Sequence, residues 1–121
     1  MSEASDLNKA NTVRFFNRVF NEGDMDVIDE LISPGYKFNG VATSAEATKG
    51  WAAGLRNAFP DLHFSIEAIL AEHESVALRW RMNGTREGVL GHIVGTNILV
   101  FAGGQAISND QGGGDQFVPG P

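Results

Sequence analysis

Apolar positions recur at helical spacing early in the chain and alternate singly later on. Leu7, Ala10, Val13, Phe16 and Phe20 fall on one helical face, which predicts a first helix over residues 5–20 capped by Ser5. Phe15 and Val19 widen that face. Asn21-Glu22-Gly23 ends it. Asp24 then caps a short helix over 25–32, with Met25, Ile28, Leu31 and Ile32 on one side, and Ser33-Pro34-Gly35 stops that helix. A short strand is expected over 36–40. A third helix follows over 44–58, capped by Ser44, with Ala47, Trp51, Leu55 and Ala58 as its buried stripe. Phe59-Pro60-Asp61 breaks it.

The period then changes to two. Leu62, Phe64, Ile66, Ala68 and Leu70 alternate with polar residues, as do Val76, Leu78, Trp80 and Met82, which predicts strands over 62–70 and 75–83. A three-residue connection, Glu72-His73-Glu74, puts both apolar sets on one face. The other face then sets Glu67 opposite Arg79 and Ser65 opposite Arg81, so both arginines lie away from the helices. Residues 84–95 are punctuated by glycine. A last strand is expected over 98–108, bent at Gly103-Gly104. The segment from Asp110, with its Gly112-Gly113-Gly114 run, reads as a flexible tail. Helices first and antiparallel strands later define an α+β domain, and the glycines of the later strands favour a strongly curved sheet wrapped around a helix. The expected layout is one domain over 1–109 and a tail over 110–121.

Composition narrows the functional classes. The 121 residues suit one domain with a genuine core. Without cysteine there is no disulfide, thiolate metal site or cysteine nucleophile. A net charge of -6 argues against nucleic acid or an anionic membrane as the main partner. The polar, acidic start Met1-Ser2-Glu3-Ala4-Ser5-Asp6 lacks the features of a signal peptide, and no apolar run approaches the roughly 20 residues of a bilayer span, so a cytoplasmic location is the default expectation. Three scattered histidines show no metal-ligating spacing, and no phosphate-binding glycine loop is present.

Four segments in order carry a family likeness: Phe20-Asn21-Glu22-Gly23-Asp24; Leu55-Arg56-Asn57-Ala58-Phe59-Pro60-Asp61-Leu62-His63-Phe64; Val76-Ala77-Leu78-Arg79-Trp80; and Gly84-Thr85-Arg86-Glu87-Gly88 with Leu90-Gly91. Over about residues 11–107 the chain resembles the SnoaL-like polyketide cyclases, within the nuclear transport factor 2-like group of cone-shaped α+β folds. The resemblance implies a pocket inside the cone, frequent homodimers and no necessary metal or organic cofactor. It does not imply one reaction, because the fold hosts cyclases, isomerases, epoxide hydrolases and non-enzymes.

Departures from the family pattern bear on chemistry. Arg86 stands where such cyclases carry a histidine. The family's late strand with its tryptophan and acid has no match in Gly112-Gly113-Gly114-Asp115-Gln116-Phe117-Val118. Asn39 is nearest the place of the ketosteroid isomerase base and cannot abstract a proton. Arg79-Trp80-Arg81 aligns with the Arg and Asp pair of limonene epoxide hydrolase, with Arg81 replacing the acid. This alignment would turn both arginines into the cavity, where they could grip an anionic or carbonyl-bearing ligand, against the outward placement by strand register; the sequence leaves both placements open.

Acid/base work needs a titratable group in the pocket, and His63, His92, Asp61 and Glu67 are the residues of the right type. Each has a plain structural reading as well. His63 falls on the polar strand face, Asp61 suits a turn, Glu67 faces Arg79, and His92 sits in a loop over 91–95 that can overhang the pocket mouth. No catalytic residue is named on this basis. Phe16, Tyr36, Trp51, Trp80 and Phe101 are core aromatics of which some should line a cavity. Asn39 could orient a ligand oxygen. The expected ligand-binding set is therefore Phe16, Tyr36, Asn39, Trp51, Trp80, His92 and Phe101, for a small apolar molecule, with no metal. An enzyme acting on a carbonyl- or epoxide-bearing substrate and a non-catalytic binding or scaffold protein both remain open. A homodimer is expected through the outer sheet face, near His63, Ser65, Arg79 and Arg81.

Overall fold

The computed structural model describes residues 2–120. Helix α1 (Glu3–Phe16) runs into a π-helical turn (Asn17–Asn21), then α2 (Asp26–Leu31), β1 (Ile32–Phe38), β2 (Val41–Ala42), α3 (Ala45–Ala58), β3 (His63–Glu72), β4 (Ser75–Arg86), β5 (Val89–Ala102), β6 (Gln105–Gly113) and β7 (Val118–Pro119). The sheet order is β2-β1-β6-β5-β4-β3, with β7 paired to the start of β5. All pairs are antiparallel except β1 with β6. This is the expected α+β class: helices packed on one face of a curled mixed sheet.

The first helix starts earlier than its apolar periodicity suggests. Ser2 rather than Ser5 is the cap, its hydroxyl accepting from the Ser5 backbone. Ser5, Asn8, Thr12, Phe15 and Phe16 are the buried face, and Leu7, counted on the stripe, is exposed. Ser5 is buried because its hydroxyl donates to the His73 carbonyl at the β3–β4 turn. The π turn then brings both Val19 and Phe20 into the core.

The β3–β4 register holds a second correction. The connection is the two-residue turn His73-Glu74, with Glu72 opposite Ser75. Taken alone that turn would mix the faces. A bulge between Ile66 and Ala68 leaves Glu67 without a cross-strand partner residue and restores the register, so Ser65 does sit opposite Arg81, as expected. Between bulge and turn the phase is reversed: Ile69 and Ala71 face the core, while Ala68 and Leu70 face out, Leu70 at 75% exposure.

The glycine-rich third of the chain is sheet. β5 runs unbroken through the stretch expected as a loop. Gly103-Gly104 is not a bend but a hairpin turn, both residues at positive φ, with Ala102 opposite Gln105. β6 therefore extends through Asp110 to Gly113, and after a short excursion Val118 and Pro119 pair with His92 and Gly91. Phe117 packs against Phe59 with ring centroids 5.7 Å apart. The segment expected as a tail thus completes the sheet; Pro121 at its end, and Met1 at the start of the expected domain, lie outside the described residues.

Helix α3 is held lightly. Ala52 is its one fully buried residue, and the anticipated stripe of Ala47, Trp51 and Ala58 is exposed, Trp51 at 54%. The helix touches chiefly α2, the π turn and β1 rather than the central strands, and a space lies between it and the sheet.

Candidate functional site: an aromatic cavity with an amide floor

That space is a cavity of about 250 Å³. Phe15, Phe16 and Phe20 form its helical wall, and Tyr36 and Phe38 of β1 its side. Thr48, Trp51 and Leu55 of α3 form its roof. Phe64, Trp80, Met82, Ile93, Asn97, Asn109 and Gln111 come from the inner sheet face. The rings are stacked: Phe64 lies 5.1 Å from Phe16, 5.2 Å from Phe20 and 4.7 Å from Trp80. Trp51 meets Phe20 edge-on at 5.7 Å. Trp51 is exposed, therefore, because it stands at the mouth.

The polar part of the lining is made of three amides, the Thr43 and Thr48 hydroxyls and the Tyr36 phenol. The Trp80 indole N–H donates to Asn97 Oδ1 at 2.6 Å, and Asn97 Nδ2 donates to Asn109 Oδ1 at 2.8 Å. Gln111 Oε1 is 3.5 Å from the same nitrogen. Burial pushes the Tyr36 phenol above its ordinary range, with the neighbouring Asn109 side chain pulling the other way. Trp80 can lie flat only because Gly95, opposite it on β5, has no side chain: a Cβ there would fall 2.4 Å from the indole.

Four of the seven expected ligand-binding residues meet in this cavity: Phe16, Tyr36, Trp51 and Trp80. Three do not. Asn39 sits with Gly40 in the β1–β2 turn, both at positive φ, and its side-chain oxygen accepts from the Gln111 backbone at 2.6 Å. His92 is within β5, on the outer sheet face opposite Val118, with Nδ1 buried and unpartnered. Phe101 lies deeper, in the core beside Leu31, Ile32 and Ala106.

The acid/base candidates are also elsewhere. Asp61 accepts from the backbone and hydroxyl of Thr85, which holds its carboxyl below the usual range. Glu67 pairs with Arg79 at 3.5 Å, and His63 is exposed. Arg79 and Arg81 face outward, opposite Thr96 and Val94. Among the described residues the cavity lining holds no carboxylate, imidazole, Lys or Arg; Tyr36 is its one titratable side chain. Asn97, Asn109 and Gln111 escaped the sequence reading. The available signal was a lone amide at an inward position of an alternating strand, which becomes visible only once the strand phase is known.

This architecture is that of the cone-shaped α+β folds, and the family model for SnoaL-like polyketide cyclases matches residues 10–105. The chain belongs to that family. Solved structures agree on the fold. A protein from Acidithiobacillus ferrooxidans provisionally described as a polyketide cyclase is 23% identical, with a TM-score of 0.79 over 95% of this chain and 92% of its own. One from Jannaschia sp. CCS1, provisionally described as a SnoaL-like polyketide cyclase, is 22% identical, with a TM-score of 0.79 over 93% and 89%. A SnoaL-like polyketide cyclase from Agrobacterium tumefaciens is 11% identical, with a TM-score of 0.77 over 95% and 94%. At such identities the likeness is one of fold alone. A search of curated proteins finds no match. No helix among the described residues is long and apolar enough to cross a membrane.

Proposed function

We propose that this chain binds a compact, neutral, largely apolar small molecule inside the cone and does not act on it by acid/base catalysis. The observation that carries this reading is the lining itself: stacked aromatic rings, three amides, two threonine hydroxyls and one phenol, with no carboxylate or imidazole among the described residues. A proton transfer at neutral pH needs a group whose pKa lies near 7, and a phenol raised above its ordinary range is far from it. A charged ligand would lose its hydration without gaining a partner charge. The volume of about 250 Å³ is just under the roughly 300–1,000 Å³ of drug-sized sites, so a body of about two fused rings fits.

The bicyclic ketone 1-tetralone tests both halves of the proposal. Calorimetric titration should show saturable binding, lost or weakened in Phe64→Ala. In deuterated buffer, NMR should show its enolisable protons exchanging no faster than without protein. Absence of binding overturns the reading, and protein-catalysed exchange restores the catalytic one.

We also propose that the chain pairs with a second copy of itself through the outer face of β3 to β6, away from the cavity.

A further inference from the structure

We infer that the Asn109 side-chain nitrogen is the donor by which the cavity recognises an acceptor oxygen on its ligand, such as that of a ketone. The inference rests on the binding reading above and adds which functional group of the ligand is recognised.

Hydrogen-bond chemistry fixes how the lining amides stand. An indole N–H can only donate, so Asn97 presents Oδ1 to Trp80 at 2.6 Å. Its Nδ2 therefore faces Asn109 at 2.8 Å, and the atom it meets there must be an acceptor, Oδ1. The same Asn97 nitrogen has Gln111 Oε1 at 3.5 Å, and Gln111 Nε2 donates to the Gly113 carbonyl at 3.2 Å. The Asn97 and Gln111 nitrogens are thus committed to protein acceptors. The Asn109 nitrogen has no such acceptor among the described residues.

Asn109 is only 6% exposed, and it lines the cavity. Among the described residues the side-chain polar atoms that are both unpartnered and sealed from solvent are Ser33 Oγ and His92 Nδ1. The Asn109 nitrogen is therefore unpartnered but not sealed, and its access is through the cavity. It carries two N–H bonds and accepts nothing. A donor thus remains for the ligand even where a neighbouring oxygen, such as the Tyr36 phenol, takes the other. Thr48 already donates to the Ser44 carbonyl at 2.8 Å. The Tyr36 and Thr43 hydroxyls turn about their C–O bonds and serve as donor or acceptor alike, so neither selects one kind of ligand group. The fixed amide nitrogen does. An acceptor oxygen pairs with it, whereas a hydrocarbon of the same shape leaves it unpaired in an apolar chamber, which is the costly case.

The matched pair 1-tetralone and tetralin isolates the effect, because they differ only at the carbonyl. The readout is the ratio of their affinities, in which the apolar contacts common to both cancel. Asn109→Leu keeps a side chain of similar size and removes both N–H bonds. Between wild type and this variant the ratio of ketone to hydrocarbon affinity should fall about tenfold, the value of roughly one good neutral hydrogen bond. Tetralin binding by the variant establishes that its cavity is intact. A second measurement uses the wild type alone: in 1H–15N spectra with the side-chain amides assigned, the Asn109 amide protons should move downfield with 1-tetralone and not with tetralin. A ratio unchanged in Asn109→Leu overturns the anchor while leaving the binding reading intact. So does a ketone that leaves the Asn109 protons where tetralin leaves them. A ratio lost in Tyr36→Phe and kept in Asn109→Leu would overturn it too, by assigning the contact to the phenol. Failure of both compounds to bind overturns the binding reading and this inference with it.

Discussion

Trp80 shows how one side chain can serve the core and the cavity together. One face of its indole stacks on Phe64, its edge lies over Gly95, and its N–H begins the amide chain. Trp80→Ala removes all three and should cost about 3–5 kcal/mol. Trp51→Ala removes a ring that is 54% exposed and should cost about 1 kcal/mol or less, weakening ligand binding instead. Gly95→Ala should destabilise by about 1–3 kcal/mol, since its Cβ would press into the flank of a fixed ring. Denaturant midpoints of the three variants check this order; equal losses for Trp51 and Trp80 would contradict the placement of α3. These two tryptophans were indistinguishable in the sequence, because both lie on apolar stripes. Burial depends on how closely an element is pressed to its neighbours, and periodicity reports only which face points inward. Asn97 and Asn109 were hidden for a related reason: glycines at 91 and 95 hold inward positions on β5 without a side chain to mark its phase.

At the scale of elements, the segments that carry the family resemblance prove to be joints. Asn21 clamps the edge strand β3 through both its amide atoms, donating to the Phe64 carbonyl and accepting from the Phe64 N–H. Arg56 of α3 donates to the Phe20 carbonyl left at the π turn. Asp61 ties the α3–β3 turn to the end of β4 through Thr85. Such residues identify a fold and say little about a reaction, which is why the architecture was readable from the sequence and the chemistry was not. The Asp61 joint makes a pH-dependent prediction. Its folded pKa is lowered by the Thr85 hydrogen bonds, so its stabilisation is present above the unfolded value and is lost as pH falls through the folded one. Asp61→Ala should therefore lower the denaturant midpoint at pH 7, and the gap to wild type should close towards pH 2. A gap that stays constant across that range would mean the carboxylate does not act through its charge. The β3–β4 register was half legible. Alternation fixed the far end of the hairpin correctly, but no local signal marks Glu67 as a bulge, because Ala68-Ile69-Leu70-Ala71 is apolar in either phase.

The whole molecule presents two faces of different character, and the outer one is the less self-sufficient. Leu70, Val94, Ile98 and Ile107 are exposed there, Ile98 at 51%. Asp110 lies opposite Ile98, and Arg79 and Arg81 stand on the neighbouring strand. A face carrying apolar residues at its centre with both signs of charge is suited to pair with itself about a two-fold axis, each arginine meeting the other copy's acid. We expect light scattering at micromolar concentration to give twice the mass of the 121-residue chain. Ile98→Asp should return the monomer, because it places two new carboxylates near the axis in a region that must shed water. The cavity opens on the opposite side of the sheet, so the same variant should bind 1-tetralone with nearly wild-type affinity. That pairing of results distinguishes loss of an interface from loss of the fold. A wild-type monomer at these concentrations would leave the outer face as ordinary surface, and a variant that loses both mass and ligand would place the outer residues in the support of the cavity.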